Sequence, residues 1–488
     1  MGEPIFAETC LIIAAIISLC FSFCKKRLFV AKILSFGAAG LLAFLSIFFI
    51  VKFSNLSGME GVFFTSTKLI LFSKILILIS SIILLFVVGG SIHYKDFLFA
   101  KAEFLFLFLF MIAGSLLMIS SCDFVSLYMS MEIQTICLYI MLALSKKSES
   151  NIQAAIKYFV LSSVASGIFL YGVSFIYGIM GSMNFSFIYE SFSVQPGLVG
   201  YNKVFSYIGM VLILSGFLFK ISLVPFHMWT PDIYQKSPTV IVMVLATLSK
   251  IVGVTVIINL LLGPFLFLSD DWKVFFLILG LLSIALGSLA ALSQTNIMRL
   301  LGFSSIASMG FISLSIATGG LMGMERAYIY LIIYIVMVLG IFILITEGRY
   351  RLKSTGIPLE ELADLSGFSK ADPVWSFMLS VFLFSLAGIP PLSGFFSKLY
   401  VIIGLVSREF LVYAIVAILF SLLGAFYYLR PIKTIYFDTP NFHIPTNFSL
   451  DRWAFLFFRL PCLFCLIVTL FYVVWPNKLV KMVAFIFE

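Results

Sequence analysis

Glu132, Lys157, Lys220, Lys250 and Lys398 lie within long apolar stretches of the chain. A charged side chain at the centre of a membrane helix costs about 2.5–3.5 kcal/mol, so four or five of them together cost more than about 10 kcal/mol. They are therefore expected to face protein or water rather than lipid. The chemistry open to them is proton transfer. Burial disfavours the charged form of a lysine, and a nearby carboxylate favours it again. A change in the distance between an acid and a lysine would then load or release a proton. Glu132 reads as the acid nearest a span centre, and Lys220 as its matching lysine. The other reading for each charge is snorkelling to an interface or a static ion pair. It weighs more for Lys157, close to a span end, and is the expected reading for Lys74 and Arg459.

These charges need apolar helices to carry them. Of the 488 residues, 62% are hydrophobic and 11% are charged, and the mean hydropathy is +1.16. A soluble domain carries about 25% charged residues. A soluble enzyme, a disordered chain and a nucleic-acid binder are excluded. The composition specifies an all-α polytopic membrane protein, because only helices and closed barrels satisfy their backbone in lipid. A crossing takes about 20 apolar residues. On that measure about fourteen transmembrane helices begin near residues 5, 28, 69, 102, 124, 155, 203, 237, 272, 298, 326, 373, 409 and 453. The first is read as a span rather than a cleaved signal, because Lys25, Lys26 and Arg27 follow it instead of preceding it.

The basic residues orient the chain. Odd-numbered loops carry roughly sixteen Lys and Arg, among them Lys146, Lys147, Arg349, Arg351, Lys353, Lys370, Arg430, Lys433 and Arg452, and even loops and tails carry about half as many. The odd loops are expected on the cytoplasm-like face and both termini on the opposite one. In the connection over 348–372, Leu359, Leu362 and Leu365 among Glu360, Glu361 and Asp364 suit a short amphipathic surface helix. The second long connection on this face covers 434–452. Cys462 and Cys465 form a CxxC inside an apolar run with no second pair or histidine nearby, which favours packing over a metal site. No metal or nucleotide motif is found.

Two spans cannot be regular helices. Pro225 interrupts the seventh, just after Lys220 and just before His227, Trp229 and Pro231. Gly388, Pro390, Pro391 and Gly394 interrupt the twelfth, just before Lys398. Irregular backbone at membrane depth belongs beside protein or a water-filled cavity. The breaks are five spans apart, which suggests two five-helix repeats, spans 4–8 and 9–13, each with a broken helix; two unrelated proline kinks are the other reading. The expected organisation is three N-terminal helices over 1–101, a first repeat over 102–265, a second over 266–433, and a loop with a last helix over 434–488. His227 could pass protons between loop water and the interior, or be a structural histidine.

Several stretches together resemble a known family. They are Tyr128 to Gln134, Ile156 to Phe159 with Ser166, Gly167, Tyr177 and Gly178, Phe219 and Lys220 with Pro225 to Tyr234, Leu289 to Asn296, Leu362 to Leu365, and Ala387 to Phe395. Between about 103 and 440 the chain resembles the antiporter-like membrane subunits of respiratory complex I, in the branch called NADH dehydrogenase subunit 2 (subunit N in bacteria). The resemblance implies a fourteen-helix fold with two inverted five-helix repeats, discontinuous helices 7 and 12, and a buried charge axis. By motif position, Glu132 and Lys220 would be the coupling pair and Lys250 the central relay. Lys398 would serve the second half-channel, with His227 connecting and Lys157 on the same axis. Lys398, where the subunit 4 type has Glu, and the length of the chain favour the subunit 2 branch. Gln235 and Lys236 depart from the family pattern of an acid and a glycine. Ser308 stands where the family has a histidine.

The function so implied is proton translocation in the membrane arm of NADH:ubiquinone oxidoreductase, with no redox centre in this chain. NADH, FMN, iron–sulfur clusters and quinone would belong to other subunits, and no cofactor or metal is expected here. The implied partners are the subunit 4-type neighbour, the small subunits of the 4L and 6 types, the lateral helix of the subunit 5 type, and lipids. Phe is abundant at 56 residues, which hints at an AT-rich, organellar coding sequence. The expected location is the mitochondrial inner membrane with both termini on the intermembrane-space side, and a bacterial plasma membrane is the second choice. Two other functions fit the same pattern. One is a subunit of a multi-subunit cation/proton antiporter. The other is a structural membrane-arm subunit without its own channel.

Overall fold

The computed structural model describes residues 5–21, 27–54, 59–60, 64–94, 102–144, 148–194, 201–353, 359–439 and 455–487. Lys25, Lys26, Lys146, Lys147, Arg452 and most of the 434–452 connection lie outside the described residues.

Nearly all of the described residues are helical, as the bilayer requires. In chain order the helices are α1 (Phe6–Cys20), α2 (Arg27–Ser54), α3 (Lys68–His93), α4 (Ala102–Ser120), α5 (Phe124–Ala143), α6 (Glu149–Met180), α7 (Phe185–Val194), α8 (Tyr201–Ile221), α9 (Trp229–Lys236) and α10 (Thr239–Leu262). They continue with α11 (Ser269–Leu292), α12 (Ile297–Ala317), α13 (Gly320–Lys353), α14 (Phe368–Ala371), α15 (Pro373–Ala387), α16 (Ser393–Ser407), α17 (Leu411–Tyr436), α18 (Leu460–Val474) and α19 (Pro476–Phe487). Met59–Glu60 and Thr65–Ser66 form one short antiparallel ladder.

Local chemistry sets the helix ends. Asp123 caps α5 by accepting from Ser126 N at 2.6 Å. Asn296 caps α12 by accepting from Met298 N and Arg299 N. Asp372 accepts from Trp375 N at 2.9 Å, and Pro373 occupies the first turn of α15. Buried serines close on their own helix; Ser283, for example, donates to Leu279 O at 2.6 Å.

Among the described residues, 12 helices are long and apolar enough to cross a membrane. This is two fewer than the count expected from sequence, for a simple reason. α1 has only 15 residues. The expected twelfth span is divided between α15 and α16, each of 15 residues. α12 and α13 are buried almost end to end, whereas α2 and α17 turn Phe44, Ile47, Leu419, Leu422 and Phe426 outward. Exposed side chains of that kind suit lipid. The short helices α7, α9 and α19 were not expected from the hydropathy.

The chain forms two compact units. The first comprises Met1–Val88, Lys95–Ile221 and Leu248–Phe275, and the second Gly89–Tyr94, Ser222–Thr247 and Phe276–Glu488. The first holds a buried ion pair, Lys74 Nζ to Glu8 Oε1 at 2.6 Å, between α3 and α1. The second holds a four-membered charge cluster. Arg459 reaches Glu347 Oε1 at 2.9 Å and also Asp372, and Arg351 reaches Asp372 Oδ2 at 2.7 Å and Glu347 Oε1 at 3.2 Å. Lys74 and Arg459 are thus static ion-pair partners. Cys462 and Cys465 are buried, with Cys462 Sγ 3.8 Å from Met378 Sδ.

The 348–372 connection corrects one expectation. Leu362–Leu365 is a single 3-10 turn rather than a helix lying on the surface. Asp364 accepts from Glu360 N and Glu361 N, and Leu362 N donates to Thr295 O at 2.9 Å. The last of these bonds ties the segment to the chain before α12, and Leu359, Leu362 and Leu365 are buried in protein.

Candidate functional site

In the first unit, Lys220 sits in the last turn of α8 and is buried. Its ammonium donates to Gln134 Oε1 at 3.2 Å, to Met131 O at 3.4 Å, and to the hydroxyl of Thr135. All three acceptors are on α5. Gln134 in turn donates to Ser115 Oγ of α4 at 2.9 Å. The acceptors are spaced by three and four residues, so they share one face of α5.

Glu132 is not a direct partner of Lys220, contrary to the expected contact. It is partly exposed, and no ion pair to Lys220 is formed. Each residue of an α-helix turns the side chain by about 100°, so the face that brings Met131 and Thr135 to Lys220 turns Glu132 aside. Its charge still lies within electrostatic reach of Lys220. Lys157 lies about two turns into α6 and is partly exposed. The neighbouring Tyr158 is buried, with its ring 6.1 Å from that of Phe219, the residue before Lys220.

Lys250 of α10 is completely buried. Its ammonium donates to the carbonyl of Ile221, the final residue of α8. Gly253, one turn further on, makes the approach possible, since a Cβ there would stand 2.5 Å from Ile221 Cγ2.

In the second unit, the chain between Ser222 and Met228 is irregular and buried at His227, which is 4% exposed. Val224 N donates to Ser283 Oγ of α11 at 3.0 Å. A side chain thereby accepts from the Val224 N–H, which has no helical acceptor at the break, and this makes the break tolerable at depth. His227 Nδ1 is buried without a hydrogen-bond partner among the described residues. Gln235 and Asp232 of α9 meet the guanidinium of Arg299 at 3.3 and 3.4 Å.

The other break lies between Ala387 and Ser393. Gly388 ends α15 with φ +84°, a left-handed value that favours glycine. Lys398 of α16 folds back to donate to Ala387 O at 2.9 Å and Leu386 O at 3.0 Å. Its ammonium also lies 5.5 Å from the centre of the Phe311 ring. Gly394 is essential to this turn, because a Cβ there would fall 1.8 Å from Ser385 O.

Lys250 and Lys398 therefore occupy the same kind of place. Each meets carbonyls at the C-terminal end of an interrupted helix. Those carbonyls lack an intrahelical donor and carry the negative end of the helix dipole. An ammonium satisfies both demands, since its N–H groups donate and its charge offsets the dipole.

A family model described as NADH:quinone oxidoreductase/Mrp antiporter, TM, matches residues 121–424. The chain belongs to that family. It is 38% identical to NADH-quinone oxidoreductase subunit N 1 of Rhizobium meliloti over 78% of this chain and 77% of the relative. Its fold is similar to a chain of respiratory complex I from Thermus thermophilus, with TM-score 0.78, 23% identity, and 97% and 98% of the two chains covered. It is also similar to a chain of the Mrp complex from Dietzia sp., with TM-score 0.84, 19% identity, and 100% and 97% covered. Those two likenesses concern the fold alone.

All six sequence-derived candidates fall inside the stretch matched by the NADH:quinone oxidoreductase/Mrp antiporter family. The structure brings Lys220 to α5 and Lys250 to the end of α8 within one unit. It places His227 and Lys398 in the other. A search for charges missed the neutral acceptors Ser115, Gln134 and Thr135. The i, i+3, i+4 spacing of Met131, Gln134 and Thr135 was the available signal. Glu347 escaped notice because it lies near the end of a long helix.

Proposed function

We propose that this chain is a subunit-N-type, multi-pass membrane subunit of NADH:quinone oxidoreductase that moves protons and performs no redox chemistry itself. The observation that carries this reading is the seating of Lys250 and Lys398 on the ends of interrupted helices. The sequence likeness to subunit N supports the choice of complex. Glu132, Lys157 and Lys220 would modulate the proton affinity of the first unit, and His227 would serve the second. A shift of α5 against α8 would change which acceptors Lys220 meets, and neighbouring subunits would drive that shift.

On this reading the interrupted pair α15–α16 counts as one crossing and α1 as another, giving fourteen. Residues 102–265 and 266–433 are then the two inverted repeats, flanked by 1–101 and 434–488. NADH, FMN, iron–sulfur clusters and quinone reside in partner subunits. Those partners include the subunit 4-type neighbour, the 4L- and 6-type subunits and the lateral helix of the subunit 5 type. The membrane is the mitochondrial inner membrane with both termini on the intermembrane-space side, or the plasma membrane if the source is bacterial like the relative from Rhizobium meliloti.

Native-gel separation of mildly solubilised membranes tests the assignment. The chain is expected to comigrate with a large NADH-oxidising band. Migration in a smaller particle without that activity, with sodium-dependent proton transport, would instead establish the antiporter reading that the likeness to the Mrp complex keeps open.

A further inference from the structure

The last helix of the second unit has one face packed on protein and one face open. α19 has 12 residues and a length of about 18 Å, too short to cross the bilayer. Trp475 leaves helical geometry at the end of α18, and Pro476 opens α19 as a separate element. Val483 and Ile486 are buried, and the Phe487 ring lies 6.1 Å from that of Tyr328 near the start of α13. On the other side Trp475, Lys478, Lys481, Met482 and Phe485 are all exposed. Their spacing of three and four residues sets them on one face. The cations come first, and Phe485 follows about 6 Å beyond Lys481 along the axis.

Charge on this face is unbalanced. Pro476–Phe487 contains two lysines and no acid. Neither lysine pairs with a carboxylate among the described residues. Lys478 Nζ lies 4.2 Å from the centre of the Trp475 ring, a contact that stabilises the cation without neutralising it. Both lysines fall in the first two turns of α19, at the positive end of the helix dipole, where an acid is favoured and a cation is not. Arg326 of α13 and Arg408 after α16 provide a contrast, since each has a glutamate beside it, Glu325 and Glu409. Two uncompensated cations followed by bare apolar side chains fit one kind of ligand, an anion joined to hydrocarbon.

We propose that the exposed face of α19 binds an anionic phospholipid, with the headgroup phosphate on Lys478 and Lys481 and the acyl chains along Met482 and Phe485. Trp475 would mark the boundary between the two, where an indole keeps its N–H in the polar layer and its ring in the apolar one. The phosphate offsets both lysines and the helix dipole, and the hydrocarbon covers apolar surface that the protein leaves bare. A zwitterionic headgroup brings a cation of its own and leaves the lysines unbalanced. The site does not depend on the proton-transfer reading.

The test uses the purified assembly that contains this chain, reconstituted in vesicles of phosphatidylglycerol and phosphatidylcholine in equal parts. A photoreactive benzophenone amino acid replaces Phe485, and after illumination the adducts on that peptide are identified by mass spectrometry. Phosphatidylglycerol adducts are expected to exceed phosphatidylcholine adducts several-fold, because each lysine near the surface favours an anionic lipid about fivefold. Lys478→Gln combined with Lys481→Gln should bring the two adducts level, and Lys478→Arg combined with Lys481→Arg should keep the excess. Level adducts in the chain with both lysines would overturn the proposal. So would adducts to protein, which would show a neighbouring subunit on this face. Should the replacement at Phe485 prevent assembly, the same group at Met482 reads the same face. Should the glutamine variant fail to assemble, the ratio in the lysine-bearing chain decides.

Discussion

Lys250 and Lys398 both donate to carbonyls at the end of an interrupted helix, but their surroundings differ. Lys250 is enclosed completely and lies against Ile221 O, with Gly253 allowing α10 to close in. Lys398 is partly exposed, takes two carbonyls, and rests near an aromatic face. An enclosed ammonium must exchange its proton through neighbouring groups. The same local device is thus fully enclosed in the first unit and less tightly enclosed in the second.

The largest expected effect concerns how each site is built. Gly394→Ala places a methyl on the backbone oxygen of Ser385, which cannot give way. We expect a loss above about 3 kcal/mol and almost no assembled chain on a native gel. At the matching place in the first unit, Gly253→Ala meets the Cγ2 branch of the Ile221 side chain rather than backbone. It should cost about 1–2 kcal/mol and leave assembled protein with a lowered Tm. Equal losses would remove the distinction between the two approaches.

Next come the ion pairs that brace each unit. Arg459→Leu leaves Glu347 and Asp372 with one cation between them, and Lys74→Leu leaves Glu8 with none. Removing one partner of a buried pair costs about 3–5 kcal/mol. We expect the lower Tm for Lys74→Leu, because Arg351 still serves the other cluster. A larger drop in Arg459→Leu would show that Arg351 does not compensate.

A functional comparison follows. Lys250→Arg must fit a longer, planar group into a closed space, and its proton is not released at working pH. Pumping should be lost. Lys398→Arg has room to turn outward and should retain structure while pumping weakly. Proton-to-electron ratios in membrane vesicles distinguish these outcomes, and identical ratios would mean that enclosure is irrelevant.

The smallest expected effect is at Lys220. Gln134→Ala removes one of three acceptors and leaves Met131 O and Thr135 in place. A loss of about 1 kcal/mol in Tm-derived stability is expected, with pumping reduced rather than abolished. Complete loss of pumping would make Gln134 the principal partner of Lys220.

Much of this architecture was legible from local chemistry. Apolar runs located the helices, since each crossing needs a minimum length. Pro225 announced one interruption, and Gly388, Pro390, Pro391 and Gly394 the other, because their backbone preferences act without help from distant residues. The lysines stood out because any charge in an apolar run needs compensation. Their partners did not stand out. Glu132 was the obvious charge for Lys220, yet neutral Gln134 and Thr135 hold it. Leu359, Leu362 and Leu365 have an amphipathic pattern, but that pattern does not say whether their apolar side covers lipid or protein.

The sequence by itself determined that this is a helical membrane protein with interrupted helices beside costly lysines. Those properties follow from transfer energy and backbone hydrogen bonding, which are set residue by residue. Only the tertiary structure decided that Lys250 would meet Ile221, that Lys74 would find Glu8, and that Tyr428 would bond Ser304. Hydrogen bonds reach about 3 Å, whereas these partners are separated by many residues along the chain. Which of them meet depends on the rotation and spacing of packed helices, a property of the assembled faces and not of any one segment.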